Sequence, residues 1–134
     1  MSGMDATGDR NLSPQQIRST IEQARKAWIA GDADTLAELF TIDAQLIVPN
    51  QRWQGREQIR EEIAKFARAY ANISITIYRI IIDSDRAAVE WHYEDLERAT
   101  GKHSQSDDAI VIEFQNGLIS YWREYFDTGG QSER

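Results

Sequence analysis

Residues 122–128 read "WREYFDT" and place a carboxylate among aromatic rings. In a β-strand, Trp122, Glu124 and Phe126 point one way and Arg123, Tyr125 and Asp127 the other. If Glu124 faces inward, its carboxylate loses hydration, which raises its pKa toward neutrality and suits it to giving and taking protons. If it faces outward, it is an ordinary solvated acid. Alternation alone leaves both orientations open.

A second acid-bearing stretch, "VEWHYED", places Val89, Trp91, Tyr93 and Asp95 on one face and Glu90, His92 and Glu94 on the other. The plain reading buries the aromatic face and leaves the charges in water. A slip of one residue would reverse the two faces. Asp107 and Asp108 are consecutive, so they point to opposite faces and cannot pair from one strand. If Ile110, Ile112 and Phe114 line an interior, Asp108 joins them near its mouth; otherwise, the favoured reading, it is simply charge at a strand end. No spacing of His92, His103 and the acids recommends a metal site, and no metal or organic cofactor is expected. Neither a phosphate-binding glycine loop nor a Ser/His/Asp arrangement occurs.

These residues need a scaffold. With 134 residues the chain has the size of one domain, and 41% hydrophobic with 28% charged residues suits a globular protein. A formal net charge of −7 argues against nucleic acid and against anionic membrane surfaces as partners. The chain has no cysteine, which excludes disulfides and thiolate chemistry and fits a reducing cytoplasm. The opening "MSGMDATGDRN" lacks the basic start and apolar run of a signal peptide. Residues 1–12 and 129–134 read as polar tails around a single domain at 13–128.

"LSPQQ" starts the first helix, with Ser13 as cap, Pro14 in the first turn and Gln16 closing a capping box. Ile17, Ile21, Ala24 and Trp28 recur at helical spacing, and Gly31 stops the helix. Asp32 or Asp34 caps a second short helix that buries Leu36, Leu39 and Phe40. "QLIV" is a brief strand ending at Pro49, and "PNQRWQG" is a loop. In that loop, Trp53 either lids a pocket or, the favoured reading, packs on the helix that follows. That third helix, about residues 56–70, carries Ile59, Ile63, Phe66 and Tyr70 along one stripe. Residues 73–82, 86–97, 104–114 and 118–127 then read as strands, joined by turns at "DSD" and "QNG" and a longer "RATGK" loop. The fold class is α+β. A curved, mainly antiparallel (mixed) sheet, covered by three N-terminal helices, should form a cone with a hollow at its wide end.

"AWIAGDADTLAELFTIDAQLIVPN", the W-x-G-R-E-Q-I run from Trp53, and "FQNGLISYWREYFDT" together resemble the SnoaL-like group of the nuclear transport factor 2 superfamily. The resemblance spans about residues 14–128 and implies the cone fold. It also implies an apolar small-molecule site and cofactor-independent isomerisation, cyclisation or hydrolysis of a small apolar cyclic substrate, in a homodimer joined by the outer sheet face. The alternative is a non-catalytic ligand-binding or dimerisation module. Where ketosteroid isomerase-like members carry their Asp and Tyr, this chain has Val48 and Ala24. Its final strand is similar to that of limonene epoxide hydrolase-like members, which assigns Glu124 the acid's role. With one deletion in the hairpin, His92 and Glu94 fall at the partner positions, whereas Leu46 and Val48 replace the groups that hold water there. Under that alignment the catalytic residues are Glu124, His92 and Glu94. The substrate would meet Trp28, Leu46, Val48, Trp53, Ile63, Phe66, Asp108, Ile110, Ile112, Trp122 and Phe126. Tyr121, Arg123 and Tyr125 would belong to the outer, dimer-forming face.

Overall fold

The computed structural model describes residues 12–127. The expected tails, Leu12 apart, lie outside the described residues, as does Thr128.

Helix α1, Pro14–Ala30, begins with the anticipated capping box. The Gln16 amide donates to Ser13 Oγ at 3.1 Å, and the Ser13 amide donates to Gln16 Oε1 at 2.8 Å. Ile17, Ile21, Ala24, Ala27 and Trp28 form its buried stripe. Gly31 ends it at φ +69°, a left-handed conformation that glycine adopts without steric cost. Asp32 caps α2, Ala33–Glu38, accepting from the Thr35 amide at 3.1 Å and from its hydroxyl at 2.7 Å. Arg60, on α3 (Arg56–Ala69), binds Asp34 at 2.7 Å and Glu38 at 3.2 Å, stitching the two helices together. Arg56 donates twice to the Phe40 carbonyl, tying α3 to the sheet.

Six strands follow the order β2-β1-β6-β5-β4-β3: β1 Phe40–Val48, β2 Gln51–Gln54, β3 Tyr70–Asp83, β4 Arg86–Glu97, β5 His103–Gln115 and β6 Leu118–Asp127. The sheet is mixed, because β1 runs parallel to β6 and every other pair is antiparallel. Three expectations need correction: Phe40, expected on the second helix, is the first residue of β1, and two more concern the strands. "QLIV" is the end of a nine-residue strand starting at Phe40, and the stretch expected as a loop around Trp53 holds strand β2. The chain reverses there at Asn50, φ +70°, and Leu46 pairs with Trp53. At the other end, Asn116 (φ +52°) and Gly117 (φ +83°) make the tight two-residue turn that pairs Gln115 with Leu118.

The helices cover one sheet face. That face presents Phe40, Ala44 and Leu46 from β1, Ile75 from β3, Ala87, Val89 and Trp91 from β4, Ile110, Ile112 and Phe114 from β5, and Ile119 and Trp122 from β6, all buried. Aromatic rings pack between the sheet and the helices. Trp122 lies 6.0 Å from both Phe40 and Trp91, and Trp28 meets Phe66 edge-on at 5.6 Å.

Candidate active site

Strand register puts Glu124 inside. It pairs with Ile110, which pairs with Val89; one step back, Trp122, Ile112 and Ala87 form the matching row. The opening question about "WREYFDT" is therefore answered by its neighbours: every residue in those rows but Glu124 itself is apolar and buried. Glu124 keeps 9% of its surface exposed. Its Oε2 accepts from Trp122 Nε1 at 2.8 Å, and lost hydration pushes its carboxyl up to about 8. The charge of Asp108 pushes in the same direction, and the Trp122 hydrogen bond only partly opposes them.

Asp108 is the second interior acid. It pairs with Phe126 and so lies diagonal to Glu124 across β5 and β6. With 4% exposure it is not charge at a strand end, which corrects the favoured reading of the sequence. Ser106 Oγ donates to it at 2.6 Å and Trp91 Nε1 at 3.2 Å. Burial raises its pKa, and these two donors work against the rise. Asp95, 5% exposed, is the third. Tyr93 Oη donates to its Oδ2 at 2.8 Å, whereas its buried Oδ1 has no hydrogen-bond partner. Burial raises the pKa of both Asp95 and Tyr93, and the Tyr93 hydroxyl also feels the charges of Asp95, Glu124 and Asp108.

His92 and Glu94 lie elsewhere. They alternate with Trp91, Tyr93 and Asp95 on β4 and occupy the outer sheet face, opposite Glu124. The alignment brought them to Glu124; their alternation with the buried Trp91 and Asp95, and the pairing of His92 with Asp107, correct it, and the plain reading of "VEWHYED" holds. His92 is held there between Asp107 at 2.9 Å and Glu94 at 2.8 Å, and those hydrogen bonds raise its pKa. Tyr78 donates to Asp107 at 3.3 Å, and His103 lies 3.5 Å from Glu94. Among the described residues no group of three or more His, Asp or Glu side chains is arranged to hold a metal.

Of the residues expected to meet substrate, Trp28, Leu46, Ile63, Ile110, Ile112 and Trp122 are buried in the core with Asp108 among them. Val48, Phe66 and Trp53 are partly buried against it. Phe126, 48% exposed, reaches the rim. Asp95, Tyr93, Ser106 and Trp91 were not singled out as site residues, yet their signal is in the alternation. Asp95 is in phase with Trp91, and Ser106 with Asp108, Ile110 and Ile112.

Two hollows mark the outer face. One, of about 430 Å³, is lined by Ile47, Arg52, Arg123 and the Val48–Gln51 turn. The other, of about 380 Å³, is floored by Ala109 and bordered by Tyr78, Glu90, Asp107 and Asp127; Tyr125 lines both. Glu124 and Asp108 border these hollows between outward-facing neighbours, so they contribute main chain there while their side chains point to the core.

The family described as SnoaL-like domain matches residues 21–122. The chain belongs to the SnoaL-like family, whose members share the nuclear transport factor 2-like fold. None of the curated proteins compared with it matches in sequence. Its fold is similar to that of a hypothetical Catenulispora acidiphila protein with a ketosteroid isomerase-like fold, solved in complex with trimethylamine (TM-score 0.75, 19% identity, 87% of this chain and 88% of that one). It is also similar to an LEH-like epoxide hydrolase of M. tuberculosis (TM-score 0.75, 20% identity, 84% of each chain). A third likeness is to a SnoaL-like polyketide cyclase, so described, from Jannaschia sp. CCS1 (TM-score 0.75, 17% identity, 88% and 91%).

Proposed function

We propose that this protein is a cofactor-independent proton-transfer enzyme acting on a small cyclic substrate, by isomerisation, cyclisation or hydrolytic addition, with Glu124 as the proton carrier. The observation that carries this reading is the buried Glu124 carboxyl, bonded to a neutral indole donor and diagonal across the strands to a second buried acid. Two like charges in a low-dielectric interior do not ionise together, so near neutral pH the pair retains a proton. Asp108, with its two donors, is the better carboxylate; Glu124, with a single donor, keeps the proton and acts as general acid. After delivering it, Glu124 becomes the base that retrieves a proton. The lack of cysteine agrees with a cytoplasmic setting, and among the described residues no helix is long and apolar enough to cross a membrane.

The test has two arms. Carboxyl-labelled glutamate NMR should find one side chain titrating near pH 8 rather than near its ordinary 4.5, and that signal should vanish in Glu124→Gln. A panel of small cyclic epoxides and enolisable cyclic ketones should be turned over by the parent and not by the variant. Equal turnover by both proteins removes Glu124 from the mechanism.

A second reading, that the chain is an assembly module, is favoured by its outer face. Tyr78, Ile81, Val111 and Tyr125 are exposed there, and the basic hollow beside Arg52 and Arg123 adjoins the acidic one beside Glu90 and Asp107. A two-fold axis near Tyr125 would set each hollow against its opposite, a self-complementary homodimer. Sedimentation equilibrium showing only monomer would exclude it.

A further inference from the structure

We infer that Ser106 is the positioning residue of the Asp108–Glu124 pair: its hydroxyl holds Asp108 as the carboxylate and so leaves the proton with Glu124. This rests on the reading of Glu124 as proton carrier and names the side chain that decides which acid carries. The two acids are otherwise alike. Both are buried, they lie diagonal across β5 and β6, and each accepts from one indole. Trp91 donates to Asp108 at 3.2 Å and Trp122 to Glu124 at 2.8 Å, with the two rings 6.0 Å apart. The shorter of these bonds belongs to Glu124, so the indoles by themselves favour charge there rather than on Asp108.

Ser106 breaks the likeness. Its Oγ donates to Asp108 Oδ1 at 2.6 Å, a separation typical of a hydroxyl bound to an ionised carboxylate. Among the described residues Glu124 accepts from its indole and from no hydroxyl. Strand periodicity sets this up. Ser106 and Asp108 share the inner face of β5, and Ser106, opposite Tyr93, is the half-buried end of that row; residues 103–105 beyond it are exposed. Aspartate's lower ordinary value, 3.8 against 4.5 for glutamate, pushes the same way. A hydrogen bond to a charged group outweighs it, being worth about one pH unit or more. The other charges that reach Asp108 come from the outward Asp107, against its ionisation, and the outward His92, in favour of it. Tyr93 and Glu124 lie within the field of Asp108 itself.

The test is carboxyl NMR of the whole chain, labelled in aspartate and glutamate and titrated from about pH 4 to about pH 10. In the parent, Asp108 should titrate well below Glu124, which should titrate near 8. Ser106→Ala should raise the Asp108 midpoint by about one pH unit or more and narrow the gap. Ser106→Thr, which keeps the hydroxyl, should restore it. In Asp108→Asn, Glu124 should titrate lower, having lost a like charge nearby, and adding Ser106→Ala should then move it no further. An Asp108 midpoint unmoved by Ser106→Ala overturns the inference. So does a Glu124 midpoint that Ser106→Ala shifts in the Asp108→Asn background, because the serine then acts through packing. Either result leaves a parent Glu124 midpoint near 8, and with it the proton-carrier reading, in place; a parent with no glutamate titrating there removes both.

Discussion

Glu124 and Asp108 differ less in depth than in company: one indole holds the first, whereas a hydroxyl and an indole hold the second. That difference has a measurable effect on stability. A buried carboxyl whose folded pKa rises from 4.5 to about 8 binds a proton more tightly folded than unfolded. Its contribution is fully present below pH 4.5, declines as pH rises through the interval up to about 8, and levels off above. The slope is at most about 1.4 kcal/mol per pH unit. Asp95 and Asp108, also raised, add with the same sign. Urea unfolding at stepped pH should show this fall, and Glu124→Gln should flatten it; an equally steep variant refutes the assignment. His92 also loses stabilisation as pH rises, but starting from its higher ordinary value of 6.5. Asp107→Asn should return the His92 midpoint toward 6.5, read by histidine ring NMR, because that aspartate is the largest cause of the shift. The inward turn of Glu124 was one of two open alternatives in the sequence. The full acidic set was less legible, because hydrophobic alternation marks apolar faces and says little about acids in phase with them. For His92 the plain alternation of "VEWHYED", with Trp91 inward and the charges outward, was the better guide than the family alignment.

Elements with a local code were read most accurately. The box at Ser13, the stop at Gly31 and the turn at Asn116–Gly117 each depend on neighbouring residues, and the structure places them as expected. At Gly31 the backbone is left-handed, and an added Cβ would lie 3.1 Å from that of Ala67 on α3. Gly31→Ala should therefore cost about 1 kcal/mol or more, seen as a lowered thermal midpoint; an unchanged midpoint contradicts that strain. Strand β2 escaped notice because "QRWQ" is polar apart from one ring and is exposed or half-exposed along its length. Its pairing with β1, rather than its own composition, makes it a strand. The start of β1 was missed for a related reason: Ile42 and Asp43 are both exposed, and the register shifts between Phe40 and Gln45, which disrupts any simple alternation.

Across the whole molecule, a mixed sheet with helices on one face was foreseeable from the order of helices and strands, and its layered burial follows from the Ile-, Val- and Trp-rich inner rows. The chemistry of its two faces is nonetheless different: the inner one gathers acids held by neutral donors, and the outer one sets basic and acidic hollows side by side. If the outer face joins two copies, Arg123→Glu should turn attraction into repulsion and shift sedimentation to the monomer, while the circular dichroism spectrum stays the same. The parallel contact between β1 and β6 was not legible, since nothing local announces a partner more than seventy positions away. Yet that contact governs assembly. The strand reached last, β6, is wedged mid-sheet, with the β1–β2 hairpin on one flank and the β5-β4-β3 meander on the other. A chain cut short before Leu118 would leave two raw edges with nothing between them, both open to pairing with strangers. Glu124 rides on that same keystone strand, so a molecule that has not closed its sheet has not yet acquired its acid.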